Sequence, residues 1–165
     1  MSPAGWSAFD LSPRVPPFSL ERDYALSAMA PGELRFDISL ESPVLRAWAA
    51  VLAWLETPSD FATGVHSSQV IDTFANGIVR EVRGDFGERT ERIELDGKTR
   101  VAKVEITAGA GAGSRYRVRV EAGEMPGLAL VSLRTDPHVG STSSWRAILE
   151  AIEKRAETSA PDSGT

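Results

Sequence analysis

The chain has 165 residues, 42% of them hydrophobic and 25% charged, which is typical of one globular domain with a sizeable core. Its net charge of −5 argues against a protein that binds nucleic acid through phosphate contacts. It has no cysteine, which excludes disulfides and thiolate chemistry, and its two histidines, His66 and His138, have no spacing typical of metal ligands, so we predict no metal site.

No run of about 18 apolar residues is present, and the N-terminus lacks the charged start and apolar stretch of a signal peptide. We therefore expect a cytoplasmic protein that does not associate with membranes.

Residues 1–32 differ in composition from the rest of the chain. They hold half of the prolines, which disfavours regular structure, together with four scattered aromatic side chains. Two interpretations remain open: a flexible extension, or an arm that packs on the domain, over a pocket mouth, or on a second copy in a homodimer. We assign residues 33–157 to one domain and residues 158–165 to a disordered polar tail. The residues that set the extension apart are Pro3, Pro13, Pro16, Pro17, Pro31, Trp6, Phe9, Phe18 and Tyr24.

The domain begins with an alternating segment over residues 34–40, where period two predicts a strand with one buried face. Ser42 and Pro43 predict a helix start, with the serine as its cap. The segment that follows is apolar nearly all round and runs to Pro58, which predicts one deeply packed helix or two short ones.

Strands dominate the next part of the chain, and a helix ends it. Residues 65–73, 77–83, 89–95, 99–106, 114–121 and 128–134 are predicted strands, with the buried face of the last one ambiguous. Thr142, Ser143 or Ser144 can cap the final helix. This order predicts an α+β fold in which a curved antiparallel sheet of about seven strands wraps around a long C-terminal helix. The apolar stripe of that helix consists of Trp145, Ile148, Leu149, Ile152 and Ala156.

Residues 77–95, GIVREVRGDFGERTERIEL, predict a hairpin that turns at residues 84–87. In that register Arg80 faces Glu91, and Ile78 faces Ile93 on the same side of the sheet. Opposite charges directly across a strand pair stabilise one another. The Asp96-Gly97 dipeptide predicts a tight turn next, which would place Ile93 opposite Arg100.

This register makes the inward face apolar except for Arg80 and Glu91, whereas the opposite parity would bury far more charge. One interpretation is that the pair lies near a sheet end and reaches water. The other is that the concave face lines a cavity in which the pair supplies the polar groups. The inward side chains are Ile78, Arg80, Val82, Glu91, Ile93, Leu95, Ala102, Val104 and Ile106.

The order of elements, with Val79-Arg80-Glu81-Val82-Arg83 and Arg89-Thr90-Glu91-Arg92-Ile93 in particular, resembles the START-like helix-grip superfamily, also known as SRPBCC or polyketide cyclase/dehydrase-like proteins. Within it, the chain is most similar to the AtaL-like group. The resemblance covers about residues 33–157 and implies a seven-stranded sheet around the C-terminal helix, with a deep apolar pocket between them. It implies binding of lipids, hormones or polyketides, and in some members cyclisation of a polyketide chain.

The first functional hypothesis is a cofactor-independent cyclase of natural-product biosynthesis. An apolar cavity would fold a polyketide-like substrate for an aldol-type or pericyclic, Diels–Alder-type, ring closure. Arg80 would polarise a carbonyl oxygen, and Glu91 would act as a general acid or base. The predicted substrate-binding residues are Tyr116, Trp145, Ile78, Val82, Ile93, Val104 and Val118.

Two further hypotheses remain beside the cyclase. A non-catalytic carrier or sensor of an apolar small molecule needs the same pocket, so the sequence does not separate it from the first. A partner-binding module predicts instead a filled pocket and an exposed apolar groove.

Overall fold

Residues 33–137 and 139–158 are described by a computed structural model of the chain. The predicted N-terminal extension, His138 and the tail beyond Thr158 lie outside this part. The elements in chain order are β1 (Leu34–Leu40), α1 (Val44–Glu56), a 3-10 turn (Pro58–Asp60), β2 (Val65–Phe74), β3 (Gly77–Gly84), β4 (Gly87–Asp96), β5 (Val101–Gly109), β6 (Arg115–Ala122), β7 (Ala129–Thr135) and α2 (Thr142–Thr158).

The seven strands form one antiparallel sheet in the order β1-β7-β6-β5-β4-β3-β2. Strands β1 and β2, which α1 and the 3-10 turn connect along the chain, therefore lie at opposite edges. The sheet curves around the helices, so the predicted α+β architecture of about seven strands and a C-terminal helix is confirmed. No helix of the part described is both long and apolar enough to cross a membrane.

The core lies between the concave face of the sheet and the two helices. Helix α1 contacts β6 and β7, and α2 contacts β1 and α1. Along β7, Ala129, Val131 and Leu133 are buried, which settles the face that the sequence left ambiguous. On α2 the buried residues are Trp145, Leu149, Ile152 and Ala156, as the helical spacing predicts.

The predicted helix caps were wrong at both helices. Pro43 occupies the cap position of α1, and the Ser42 hydroxyl donates to the Pro43 carbonyl instead of accepting from the helix. At α2 the Ser141 hydroxyl accepts the N–H of Ser144 at 3.1 Å. Ser141 therefore caps one residue earlier than the sequence suggested, because its side chain reaches the free N–H three residues ahead.

The register of the β3–β4 hairpin is confirmed. Arg80 pairs with Glu91, Ile78 pairs with Ile93, and Gly84 closes on Gly87. The glycine at the end of the turn has φ of +100°, a left-handed conformation that other residues adopt at a cost.

The register predicted for the next turn was wrong. Ile93 faces Val104 and not Arg100, because β5 begins at Val101. The Asp96 carboxylate accepts the N–H groups of Lys98 at 3.0 Å and Thr99 at 3.2 Å, and Arg100 has φ of +53°, so residues 97–100 form a longer connection. The shift from the predicted pairing is even, so every side chain keeps its predicted face.

Candidate functional site

A network of charged side chains lies on the concave face, centred on Glu91 of β4. Arg80 donates to Glu91 Oε2 through Nε at 2.8 Å and lies within 2.6 Å of it through Nη2. Arg89 binds the other oxygen, Oε1, through Nε at 2.8 Å and Nη2 at 2.7 Å. Both carboxylate oxygens of Glu91 are therefore engaged by guanidinium groups.

Arg80 also connects the sheet to the helices. Its Nη1 donates to the carbonyl oxygen of Leu55, in the last turn of α1, and its guanidinium also interacts with Tyr116 of β6. Carbonyl groups at a helix C-terminus lack partners within the helix and carry partial negative charge, which a cation stabilises. The guanidinium thus fixes the end of α1 against β3.

The Arg80–Glu91 pair does not reach water. Arg80 is 2% exposed and Glu91 is 0% exposed, so the interpretation that placed them at a wet sheet end was wrong. Burial alone would lower the pKa of Arg80, but the opposite charge of Glu91 and the contact with Tyr116 outweigh it and raise that pKa. The arginine therefore stays charged inside the core.

Arg89 is a third charge on this face, and the sequence analysis missed it. Its side chain is 11% exposed, and its guanidinium lies 4.1 Å from the ring centroid of Phe86. The sequence held the information needed to find it, because Arg89 lies two residues before Glu91 and so shares its face of the strand.

Three aromatic side chains pack together beside this network. The ring centroids of Tyr116 and Trp145 are 5.1 Å apart, and Trp54 lies 6.0 Å from Tyr116 and 6.3 Å from Trp145. Tyr116 and Trp145 were predicted site residues from separate elements, and the fold brings them into contact. Trp54 was not predicted, because an apolar helix such as α1 does not show which of its sides faces the sheet.

The other predicted binding residues lie in the same core. Val82, Ile93, Val104 and Val118 are 0–1% exposed, while Ile78 is half-buried against the cluster. A void that admits water would leave accessible surface on the side chains around it, so these four residues are packed against neighbours in this conformation. Their contact with a ligand remains a prediction, as do the catalytic roles of Arg80 and Glu91.

The indole N–H of Trp145 is buried without a hydrogen-bond partner among the residues described. Trp145 is 4% exposed, and Gly140, just before α2, lies against its indole nitrogen, so that a Cβ at Gly140 would come within 3.1 Å of Nε1. Buried donors are paired in the great majority of cases, so this group is the unsatisfied polar atom of the aromatic cluster.

Tyr116 is expected to make stability fall at alkaline pH. Burial, and then the charge of Glu91, raise its pKa above the usual 10. The folded protein therefore keeps this proton above pH 10 while the unfolded chain loses it, which lowers the free energy of unfolding by about 1.4 kcal/mol per pH unit. We expect a steeper alkaline loss of stability, measured by urea unfolding, for the wild type than for Tyr116→Phe. Equal slopes would contradict the assignment.

A small surface pocket of about 170 Å³ lies at the β3–β4 hairpin and the end of β5, and Arg89 of the Glu91 network is one of its lining residues. Its polar lining includes Glu81, Arg83, Glu88 and Thr90, and Arg83 already pairs with Glu88 at 3.0 Å. Within residues 33–137 and 139–158, no three His, Asp or Glu side chains are grouped so that they could hold a metal ion.

Solved structures show how this arrangement of elements recurs. The protein TTHA0849 from Thermus thermophilus superposes with a TM-score of 0.64 at 12% identity, over 78% of this chain and 99% of that one. Ara h 8.0201 superposes with a TM-score of 0.56 at 17% identity, over 76% of this chain and 97% of that one. The fold is a helix-grip fold. No protein-family model matches the sequence, and no curated protein sequence matches it significantly.

The helix-grip fold also occurs in the di-domain ARO/CYC StfQ from the steffimycin biosynthetic pathway. That structure superposes with a TM-score of 0.59 at 12% identity, over 75% of this chain and 44% of that one. Identities this low establish the fold alone, and the AtaL-like assignment remains a prediction. In the present helix-grip domain, the Glu91 network and the aromatic cluster both lie on the face that the helices cover.

Proposed function

We propose that the protein binds an apolar small molecule that carries an oxygen acceptor, in the space between the concave face of the sheet and the helices. The observation that carries this proposal is the indole N–H of Trp145, which is buried in the aromatic cluster and has no hydrogen-bond partner among the residues that the structure describes. A ligand carbonyl, ether or phenol oxygen would accept that hydrogen bond.

The energetics favour a partner for this group. A buried donor left unsatisfied costs about 1–3 kcal/mol, and a ligand oxygen would offset part of that cost on binding. The rings of Trp54 and Tyr116 supply apolar walls, and the Tyr116 hydroxyl adds a second polar group beside Arg80. An apolar ligand with one or two oxygen atoms matches these surroundings.

Binding at this position requires the aromatic side chains to separate. Trp145 is 4% exposed, Trp54 is 3% and Tyr116 is 2%, so a ligand would replace contacts that the three rings make with one another. Trp145 belongs to α2, which packs on edge strand β1 and on α1. Movement of α2 would open the site without disturbing the sheet.

The experiment uses 9-fluorenone and fluorene, which differ mainly in one carbonyl oxygen, and follows tryptophan fluorescence. We expect the wild type to prefer fluorenone by about twofold to tenfold, the worth of one neutral hydrogen bond. Trp145→Phe, which keeps an aromatic ring, is expected to bind both compounds equally. The proposal would be overturned if neither compound bound to the wild type, or if Trp145→Phe kept the same preference for fluorenone over fluorene.

Ring closure of a polyketide-like molecule is the second candidate function, and it rests on the same binding site. Its support is the interaction of the buried Arg80 with Tyr116, together with the ARO/CYC neighbour. Because the pKa of Tyr116 is raised, its hydroxyl stays protonated and can donate to a carbonyl oxygen that gains negative charge as a carbon–carbon bond forms. In this proposal Glu91 positions Arg80, and Arg80 positions the Tyr116 hydroxyl. Tyr116 is then the residue that contacts the substrate.

A turnover assay separates the two candidates. The protein is incubated with an aromatic poly-β-keto ester, and the products are followed by mass spectrometry and chromatography. A cyclase is expected to change the elution of the compound, with water lost where aromatisation follows, and Tyr116→Phe is expected to reduce the rate while still binding it. If the compound is converted no faster with the protein than without it, the cyclase is rejected and only the binding function remains.

A further inference from the structure

Strand β2 forms one edge of the sheet, and among the strands described it pairs with β3 alone. It is ten residues long and contains no lysine, arginine or proline. Edge strands are usually protected by such residues or by a covering element, because their free N–H and C=O groups otherwise pair with another chain. The opposite edge differs, since β1 carries the ion pair of Arg35 with Asp37 and contacts α2. The β2 edge is therefore the one more open to association.

The open part of this edge is the segment of residues 67–71. Register shifts interrupt the pairing with β3 close to both ends of this segment, and such bulges are a device that limits pairing along an edge. On one side, the Val65 N–H donates to the Ala62 carbonyl at 3.2 Å. On the other, the Asp72 carboxylate accepts the N–H of Thr73 at 2.8 Å. A further strand is therefore expected to pair with the segment between these contacts.

Two large apolar side chains of this segment are exposed. Val70 is 50% exposed and Ile71 is 49% exposed, and they are two of the five large hydrophobic side chains that are exposed within residues 33–137 and 139–158. Ile71 is also skipped in the pairing of β2 with β3. Removal of apolar area from water favours association. The segment thus offers both backbone groups and apolar side chains to a partner.

The residues at the two ends of the segment indicate which partner fits. His66 precedes it, Asp72 follows it, and no charged residue lies between them. If two copies pair antiparallel about a two-fold axis at Gln69, His66 of each copy lies opposite Asp72 of the other. A parallel arrangement would instead bring identical residues together. The segment therefore complements a second copy of itself in the antiparallel direction.

The present contact of His66 does not prevent this arrangement. Its Nε2 lies 2.8 Å from the Asp85 carboxylate, but the two side chains are 60% and 76% exposed. Exposed pairs of this kind contribute little to stability, so His66 can exchange Asp85 for a carboxylate of a second copy.

We propose that the protein forms a homodimer in which two β2 strands pair antiparallel at residues 67–71, with Gln69 on the two-fold axis. One sheet would then run through both copies. The interface lies at the edge of the sheet, so the dimer is independent of the small-molecule site between the concave face and the helices.

Gln69→Cys tests the position of the axis, because the chain has no cysteine of its own. Directly opposed residues of antiparallel strands have Cα atoms about 4.5–5.5 Å apart, which suits a disulfide. We expect mild oxidation to convert this variant into a covalent dimer on a non-reducing gel. Leu45→Cys, at a position 73% exposed on α1, is the matched control and is expected to stay largely monomeric.

Charge variants at the same position test whether Gln69 faces itself. Gln69→Lys alone and Gln69→Glu alone each oppose like charges, and each is expected to raise the dissociation constant of the dimer at least about tenfold. Sedimentation equilibrium of the full chain at low ionic strength measures this constant. An equimolar mixture of the two variants is expected to regain dimers, since lysine then faces glutamate. Position 69 is exposed, so both variants are expected to fold, and urea unfolding checks this.

Four outcomes would overturn the proposal. The first is a wild type that stays monomeric up to high micromolar concentration; slow amide exchange of residues 67–71 would then assign the edge to another segment of the same chain. The second is a dimer that neither charge variant weakens, which would place the interface elsewhere. The third is a mixture that remains as dissociated as either variant alone. The fourth is equal cross-linking of the two cysteine variants, which would indicate random collision.

Discussion

Glu91→Ala is expected to lower the free energy of unfolding by about 3–5 kcal/mol, because it leaves the buried guanidinium of Arg80 without its counter-ion. Arg89 loses its ion pair as well. Urea denaturation followed by circular dichroism measures the change. Replacing Arg80 by methionine and Glu91 by leucine together is expected to recover part of the loss, since the buried charge of Arg80 is then absent, although Arg89, which is 11% exposed, still lacks its counter-ion.

Glu88→Ala is the matched control for this prediction. Glu88 lies on the same strand and pairs with Arg83 at 3.0 Å, but both side chains are well exposed. Loss of a surface ion pair costs about 0–1 kcal/mol. If Glu91→Ala lowered the free energy of unfolding no more than Glu88→Ala, the network would not stabilise the core. The statement that Arg80 fixes the end of α1 against β3 would then lose its support.

Trp54→Ala is expected to destabilise the protein by about 3–5 kcal/mol, because it removes a large side chain from the contact with Tyr116 and Trp145. The cavity left behind would be apolar and about the size of an indole ring. Indole is therefore expected to raise the melting temperature of this variant, with a stabilisation that grows as the logarithm of the indole concentration once that exceeds Kd. Differential scanning fluorimetry in an indole series measures both effects.

Leu45→Ala supplies the comparison on the same helix. Leu45 is 73% exposed, and its truncation is expected to change stability by less than about 0.5 kcal/mol. Similar losses in the two variants would show that the aromatic cluster is not a tightly packed part of the core. No stabilisation of Trp54→Ala by indole would mean that the cavity collapses.

The sequence was most informative where a pattern is local. Period-two alternation located the strands, and the turn at residues 84–87 placed Arg80 opposite Glu91. The predicted turn after β4 was wrong because a side chain determined the conformation there and the dipeptide pattern did not. Asp96 binds the N–H groups of Lys98 and Thr99, and this turned a predicted two-residue turn into a longer connection.

Contacts between distant elements could not be predicted in this way. The carbonyl of Leu55 lies 25 residues before Arg80 in the chain, and only packing of α1 onto the sheet brings the two together. The same holds for Trp54 beside Tyr116. Periodicity shows which face of an element is apolar, but it does not show which residue of another element will cover it.

The packed interior bears on the three functional hypotheses. On the concave face the Trp145 indole N–H has no partner among residues 33–137 and 139–158 and lies beside packed aromatic rings, which is the basis of our proposal that a small molecule binds there once α2 moves. The packed interior agrees with one of the two features that a partner-binding module predicts, namely a filled pocket.

The observed pairing of β4 with β5 differs from the predicted one by an even number of residues, so apolar alternation alone does not fix the alignment of two strands. Apolar alternation rejects odd slips, because they invert the faces, but it accepts slips of two or four residues. In β3 and β4 a slip of two would place Arg80 opposite Ile93 or Arg89 and leave a buried charge unpaired. Among the alignments that hydrophobicity allows, the ion pair therefore favours the one in which Arg80 lies opposite Glu91, and in that alignment Arg80 also reaches the Leu55 carbonyl of α1.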